Sequence, residues 1–116
     1  MNHISFGAKG EEIATDYLRN LGYKILHRNY KNSIGELDII ALDGITLVVV
    51  EVKTRKNDRY GHAFEAVHES KQRKIKETTL LFLQEEGNRF LECRFDVIEV
   101  YPYREKQCNH FIDAFW

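Results

Sequence analysis

The sequence predicts an α/β fold with a central mixed sheet flanked by helices. Three observations carry that expectation. Apolar residues recur at helical spacing after Gly7, two aliphatic and β-branched runs flank Asp43 and Gly44, and a second helical stretch separates that hairpin from another alternating run. The order helix, three strands, helix, strand is that of an α/β sheet with helices available to cover it. At 116 residues the chain has room for one core, so residues 1–116 are read as a single domain. With 43% hydrophobic residues and one proline it buries enough apolar surface to fold, which excludes a disordered chain.

The first helix is read from Ile13, Ala14, Tyr17, Leu18 and Leu21, opened by Gly7 and Gly10 and stopped by Gly22. Ala14, Tyr17, Leu18 and Leu21 define its buried face; Glu11 falls about 70° from the centre of that face and Glu12 about 170° away. Glu11 is therefore expected to reach the sheet and Glu12 to face solvent. Residues 23–30 alternate imperfectly and are read as a strand.

Leu37 to Leu42 and Thr46 to Val52 form a hairpin about Asp43 and Gly44. Asn57 to Ala63 reads as a loop. A second helix is expected from an N-cap at Ser70 to Glu86, ended by Gly87 and Asn88, with Ile75, Thr79, Phe82 and Leu83 inward. Phe90 to Tyr101 alternates as a strand closed by Pro102, and His110 to Trp116 reads as a short terminal strand.

The chemistry lies in the hairpin. Glu51 and Lys53 share a strand face with Leu47 and Val49, because side chains alternate with period two. A two-residue turn at Asp43 and Gly44 sets Glu51 diagonal to Asp38 and opposite Glu36; a four-residue turn sets Asp38 directly across from Glu51. In either register both acids leave the same face, with Cβ atoms roughly 4.5–8 Å apart. Carboxylates so placed among apolar strands need a compensating charge, and an oxygen-only donor set suits a hard cation such as Mg2+ or Mn2+. Lys53 stands where it could orient a water or neutralise charge on phosphorus. Glu11 could join the acids directly or through a water if its helix crosses the hairpin. Glu36 reads as an exposed strand-end acid, Gln72 as a polar residue at a helix entrance, and Arg94 with Asp96 as a structural ion pair.

Asp38 followed by Glu51, Val52 and Lys53 resembles the D…ExK core of the PD-(D/E)xK nucleases, with Leu37 where those often carry proline. The wider pattern includes Gly10, Glu11, Ala14, Tyr17 and Leu18; Gly22, Tyr23 and Asn29; and Gly35 to Ala41. It continues through Val50 to Arg55, Gly61, Glu65 to Val67, Lys71, Arg94 to Val97 and His110 to Phe115. Together these resemble the YraN family of small uncharacterised bacterial proteins, similar to archaeal Holliday-junction resolvases, over essentially the whole chain. The resemblance implies a restriction-endonuclease-like αβββαβ core. It implies Asp38, Glu51 and Glu11 as a metal site joined by the carbonyl of Val52, Lys53 as the catalytic lysine, DNA as substrate and a homodimer as the working form.

Charge is uneven along the chain. The total is −1, which alone argues against nucleic acid, yet residues 53–76 hold eight basic and three acidic residues against nine and fifteen elsewhere. Arg55, Lys71, Lys56 and Arg59 are the candidate phosphate contacts, and Tyr60, His62 and Phe64 are candidates for base stacking. The two cysteines form no CxxC, no apolar run approaches a membrane span, and Met1 to Phe6 is unlike a signal peptide, so a cytoplasmic protein without membrane contact is expected. The expectation is a metal-dependent endonuclease, with a non-cutting nucleic-acid module or a partner-binding adaptor as alternatives.

Overall fold

The computed structural model describes residues 5–56, 68–90 and 92–115. Helix α1 (Phe6–Asn20) leads into β1 (Lys24–Lys31), β2 (Glu36–Asp43) and β3 (Thr46–Thr54); α2 (Glu69–Glu85) then crosses to β4 (Glu92–Val100) and β5 (Cys108–Phe115). The strands form one sheet in the order β1-β2-β3-β4-β5, antiparallel except for the parallel β3–β4 pair that α2 connects. This α/β sheet with two helices is compatible with the αβββαβ core, β5 being added at its end.

The helices take opposite faces. Ala14 and Leu18 of α1 pack on Ile39, Ala41, Val48, Val50, Ile98 and Val100. Ile75 and Phe82 of α2 pack on Ile40, Leu47, Val49 and Val97. The even-numbered and odd-numbered residues of β3 thus serve different cores, which is why its apolar run is continuous. At Gly10 helix α1 lies so close to β3 that an added Cβ would overlap the Thr54 side chain.

Termini and turns explain the boundaries. Ser5 Oγ accepts from Ala8 N–H at 3.1 Å and caps α1, while Gly22 at φ 92 and the Tyr23 N–H to Leu18 carbonyl bond end it. Gly87 at φ 70 and the bond from Asn88 N–H to the Leu83 carbonyl end α2 in the same way. Buried Thr78 and Thr79 satisfy their hydroxyls on the carbonyls of Lys74 and Ile75.

Several local expectations change. Leu21 is the C-cap of α1, one step past the last inward-facing turn, and is exposed. His68, in extended conformation, is the N-cap of α2 and makes no side-chain capping bond, which leaves Ser70 inside the helix. Asp43 pairs with Thr46, so the hairpin turn is Gly44 and Ile45, with Gly44 at φ 61. The terminal strand begins at Cys108, two residues before the expected start. The proposed loop at residues 57–63, together with Arg59, Tyr60, His62 and Phe64, lies outside the described residues, as does Trp116.

No helix among the described residues is long and apolar enough to cross a membrane. Both cysteines are free, and burial pushes the Cys108 thiol up to about 11, which leaves it unreactive.

Candidate functional site

The site sits where two strands part. The β2–β3 ladder runs from Asp43 opposite Thr46 to Ile39 opposite Val50 and stops. The β3–β4 ladder continues to Thr54 opposite Val100, and β1–β2 to Lys31 opposite Glu36, so β2 peels away from β3 while each keeps its outer neighbour. Extended one step, this register would set Asp38 across from Glu51, the directly facing arrangement of the two weighed from the sequence, but the ladder stops before that pair and the two side chains meet as lining of one pocket. Across the fork, Val52 N–H donates to Asp38 Oδ2 at 2.8 Å. A strand residue's N–H and C=O point to the same side, so the Val52 carbonyl also faces the gap left by β2.

Asn29 shapes the fork. The pairs Arg28–Ile39 and Tyr30–Leu37 set Asn29 opposite Asp38, and Asn29 has φ 52. Side-chain alternation breaks here in both strands: His27 and Tyr30, three apart, both contact the Phe82 ring, and Leu37 and Ile40 share one core. Asparagine tolerates this left-handed conformation better than a branched residue would. The Asn29 side chain also acts on Glu11, lowering its carboxyl against the effect of burial. Sequence reading missed this role; an asparagine inside an imperfectly alternating strand was its only signal.

Asp38 and Glu51 line one pocket of about 720 Å³, whose rim includes Lys31, Ser70, Lys71 and Lys74. The β1–β2 connection forms its other wall. Asn32 Oδ1 accepts from the N–H groups of Ile34 and Gly35, Asn32 Nδ2 donates to the Thr78 carbonyl, and Gly35 approaches Thr78 too closely for a side chain. The wall is thereby fixed to α2.

Burial governs the site's electrostatics. Glu51 is 4% exposed, and burial followed by the charge of Asp38 raises its carboxyl to about 7. Its Oε2 has no hydrogen-bond partner among the described residues, while Oε1 lies 3.5 Å from Lys71 Nζ. Burial also raises Asp38, against the Val52 N–H and the charges of Lys71 and Lys53. Lys53 is lowered to about 8 by burial and then by the neighbouring Lys71, against the charges of Glu51 and Asp38. For Lys71 burial acts downward, but the neighbouring Lys53 and the charges of Glu51 and Asp38 outweigh it and leave it raised. Glu11 is raised by burial and by Asp38, opposed by Asn29 and Arg28.

Of the residues singled out from the sequence, Asp38, Glu51 and Lys53 come together with Lys71, and Glu11 stands behind Asn29 within the electrostatic reach of Asp38. Among the described residues no three Asp, Glu, His or Cys side chains converge as a ready-made metal cage. The donors nevertheless suit a hard cation, since an unpartnered buried carboxylate oxygen and a facing main-chain carbonyl are what such an ion coordinates. Lys71 lies against Glu51 and so belongs to the acidic site. Arg55 has Nε and Nη2 enclosed without a hydrogen-bond partner among the described residues, and Lys56 Nζ lies 5.8 Å from the centroid of the Phe6 ring. Glu12 and Glu36 are exposed as expected.

A second polar cluster lies under α1. Asp96, fully buried, accepts from Arg94 Nε at 3.0 Å and Asp113 N–H at 2.9 Å and lies 2.7 Å from His110 Nε2. Arg94 also reaches Asp43 and the Tyr23 hydroxyl, and His110 Nδ1 is 3.2 Å from the Tyr17 hydroxyl. The Arg94–Asp96 pair is structural, as expected; the part of His110 was not foreseen.

The family model described as "Uncharacterised protein family UPF0102" matches residues 10–100. A UPF0102 protein of Caldicellulosiruptor saccharolyticus is 46% identical over 87% of this chain and 86% of its own. One of Chlorobium limicola is 43% identical over 97% and 92%, and one of Thermodesulfovibrio yellowstonii 39% over the full length of both.

Proposed function

We propose a metal-dependent DNA endonuclease activity for this chain, which belongs to the uncharacterised protein family UPF0102. One observation carries the reading: Asp38 and Glu51 line one pocket at a strand fork, with a buried Glu51 oxygen left without a partner among the described residues. An ordinary sheet salt bridge gives no reason to keep that oxygen buried with no partner among the described residues. Asp38, Glu51 and the Val52 carbonyl are the groups that would hold Mg2+ or Mn2+, with Glu11 contributing through a water.

The cation, when bound, would lower the pKa of its water and polarise a phosphoryl oxygen. Lys53 then has two uses. Its ammonium, brought down to about 8, can exchange a proton near neutral pH, and while charged it favours negative charge developing on the phosphate. Lys31 and Lys74 on the pocket rim can hold the flanking phosphates, aided by Arg55, Lys56 and Arg59. By resemblance the substrate is branched or repair-associated DNA and the working form a homodimer, because a four-way junction needs two cuts.

The second reading is a nucleic-acid-binding module that does not cut. It is favoured by the Lys71–Glu51 contact, which lets the acids stay buried with no added cation. Incubating the protein with labelled linear, flap and four-way DNA in Mg2+ or Mn2+, beside Glu51→Ala and Lys53→Ala, separates the two. Cutting lost in both variants supports the nuclease; binding by all three proteins with no cutting supports the module.

A further inference from the structure

We propose that Lys71 is a built-in counter-cation of the acid pair, one that must leave Glu51 before a divalent cation can enter. The inference rests on the metal-dependent reading above and adds a residue that this reading does not require.

The geometry points to displacement because the two ends of the contact differ. Lys71 Nζ lies 3.5 Å from Glu51 Oε1, but the Lys71 side chain is 45% exposed and that of Glu51 only 5%. One partner can return to water at small cost and the other cannot. Lys71 lies in the first turn of α2, on a flexible four-carbon stem, whereas Lys53 projects from a strand paired on both sides up to Val50 and along β4 to Thr54. Lys71 is therefore the lysine free to move.

Charge also favours displacement. When Asp38 and Glu51 are ionised, as coordination requires, the charges of Lys53 and Lys71 that act on them already balance the pair. A divalent cation added to that set leaves two positive charges in excess within a poorly solvated site, an arrangement Coulomb repulsion opposes. Withdrawal of Lys71 lowers the excess and frees both oxygens of Glu51 for coordination. The route out is the adjoining pocket, shared with Lys74, Ser70 and Asn32, where an ammonium would meet a phosphodiester of the substrate. Cation binding and phosphate binding are thus coupled through one side chain.

The test is Mn2+ affinity, read from the paramagnetic signal of the free ion, for the wild-type protein, Lys71→Met, Lys71→Gln and Lys74→Met. The control removes the same charge one turn along the helix. Lys71→Met and Lys71→Gln are expected to bind Mn2+ on the order of tenfold more tightly, and Lys74→Met within about twofold of wild type, since a more distant exposed charge is screened. Glu51→Gln should abolish binding. Unchanged or weaker binding by both Lys71 variants, in a wild type that binds, overturns the counter-cation role alone; equal tightening by Lys74→Met overturns it as a general charge effect. If no protein in the set binds Mn2+, the role falls together with the metal-dependent reading. Should Lys71→Met fail to fold, the near-isosteric Lys71→Gln decides, with the Mn2+-induced rise in its melting temperature as the second readout.

Discussion

Val52 N–H donates to Oδ2 of Asp38 at 2.8 Å, just past the last ladder pair joining their strands. A main-chain donor that would otherwise bond β2 is instead satisfied by a carboxylate, so the sheet opens without an orphaned N–H. The opening leaves Asp38 and Glu51 lining one pocket. The acids are thus held by the sheet's own geometry, on rigid strands.

Glu51 is held at a cost to stability. At pH 8, above its raised value of about 7, a charged carboxylate must stay in a site that burial makes unfavourable. Glu51→Gln should therefore stabilise the metal-free protein by about 1–2 kcal/mol at pH 8. The gain should shrink toward pH 5, where wild-type Glu51 is already neutral in the folded state. Urea unfolding at the two pH values checks this; equal stability at pH 8 would contradict it.

Asn29 should matter through its backbone and its side chain separately. Asn29→Gly keeps the φ of 52 accessible and should leave stability within a few tenths of a kcal/mol, while Asn29→Ala should lose about 1 kcal/mol. Both remove the side chain that lowers Glu11. A fall in cation affinity shared by both variants, despite their different stabilities, would assign the Asn29 side chain a positioning role.

Gly10 tests how α1 seats Glu11. Gly10→Ala places a methyl group on the Thr54 side chain and should cost about 1–3 kcal/mol by overpacking, although alanine is the better helix former. Thr54→Ala in the same chain should restore part of the loss. Denaturant midpoints with unchanged slopes measure both.

Asp96 carries the pH dependence expected of the network under α1. Burial acts to raise its carboxyl, but hydrogen bonds from His110, Arg94 and the Asp113 N–H, with the Arg94 charge, outweigh it and hold the value below normal. A depressed folded value means that this contribution is complete above the unfolded value of about 3.9 and is lost as pH falls below it. The other groups facing the network are Asp43, Tyr17 and Tyr23. Asp96→Asn should lose about 3–5 kcal/mol at pH 7 and flatten the acid limb of the stability profile; an unchanged limb would show that the acid sensitivity arises elsewhere.

What the sequence made legible follows its periodicity. Continuous apolar runs at Ile39 to Leu42 and Leu47 to Val50, and helical spacing from Ile13 to Leu18, are strong local signals and became β2, β3 and α1. Asp38 and Glu51 were placed together from strand alternation and register, and both line the pocket at the fork, although the β2–β3 ladder stops one pair short of them. What escaped depends on tertiary geometry. The φ of Asn29 reflects two strands twisting together, and Lys71 reaches Glu51 because α2 crosses the sheet at that end. In the sequence Lys71 is one basic residue among eight; only the fold separates it from Lys74 and Lys76. His110 likewise gained its partners from strand pairing across β4 and β5.

Asp38 and Glu51, which line one pocket, are proposed to support cation-dependent cleavage of DNA. The most direct measurement is cleavage of an end-labelled four-way DNA junction in Mn2+ by wild type and Asp38→Asn, with junction binding followed in parallel in Ca2+. Wild type should cut, and Asp38→Asn should cut at least about a hundredfold more slowly while still binding the junction, since a metal ligand contributes several kcal/mol to the transition state. Equal cutting by the two proteins, or none by a wild type that binds both Mn2+ and the junction, would contradict the claim.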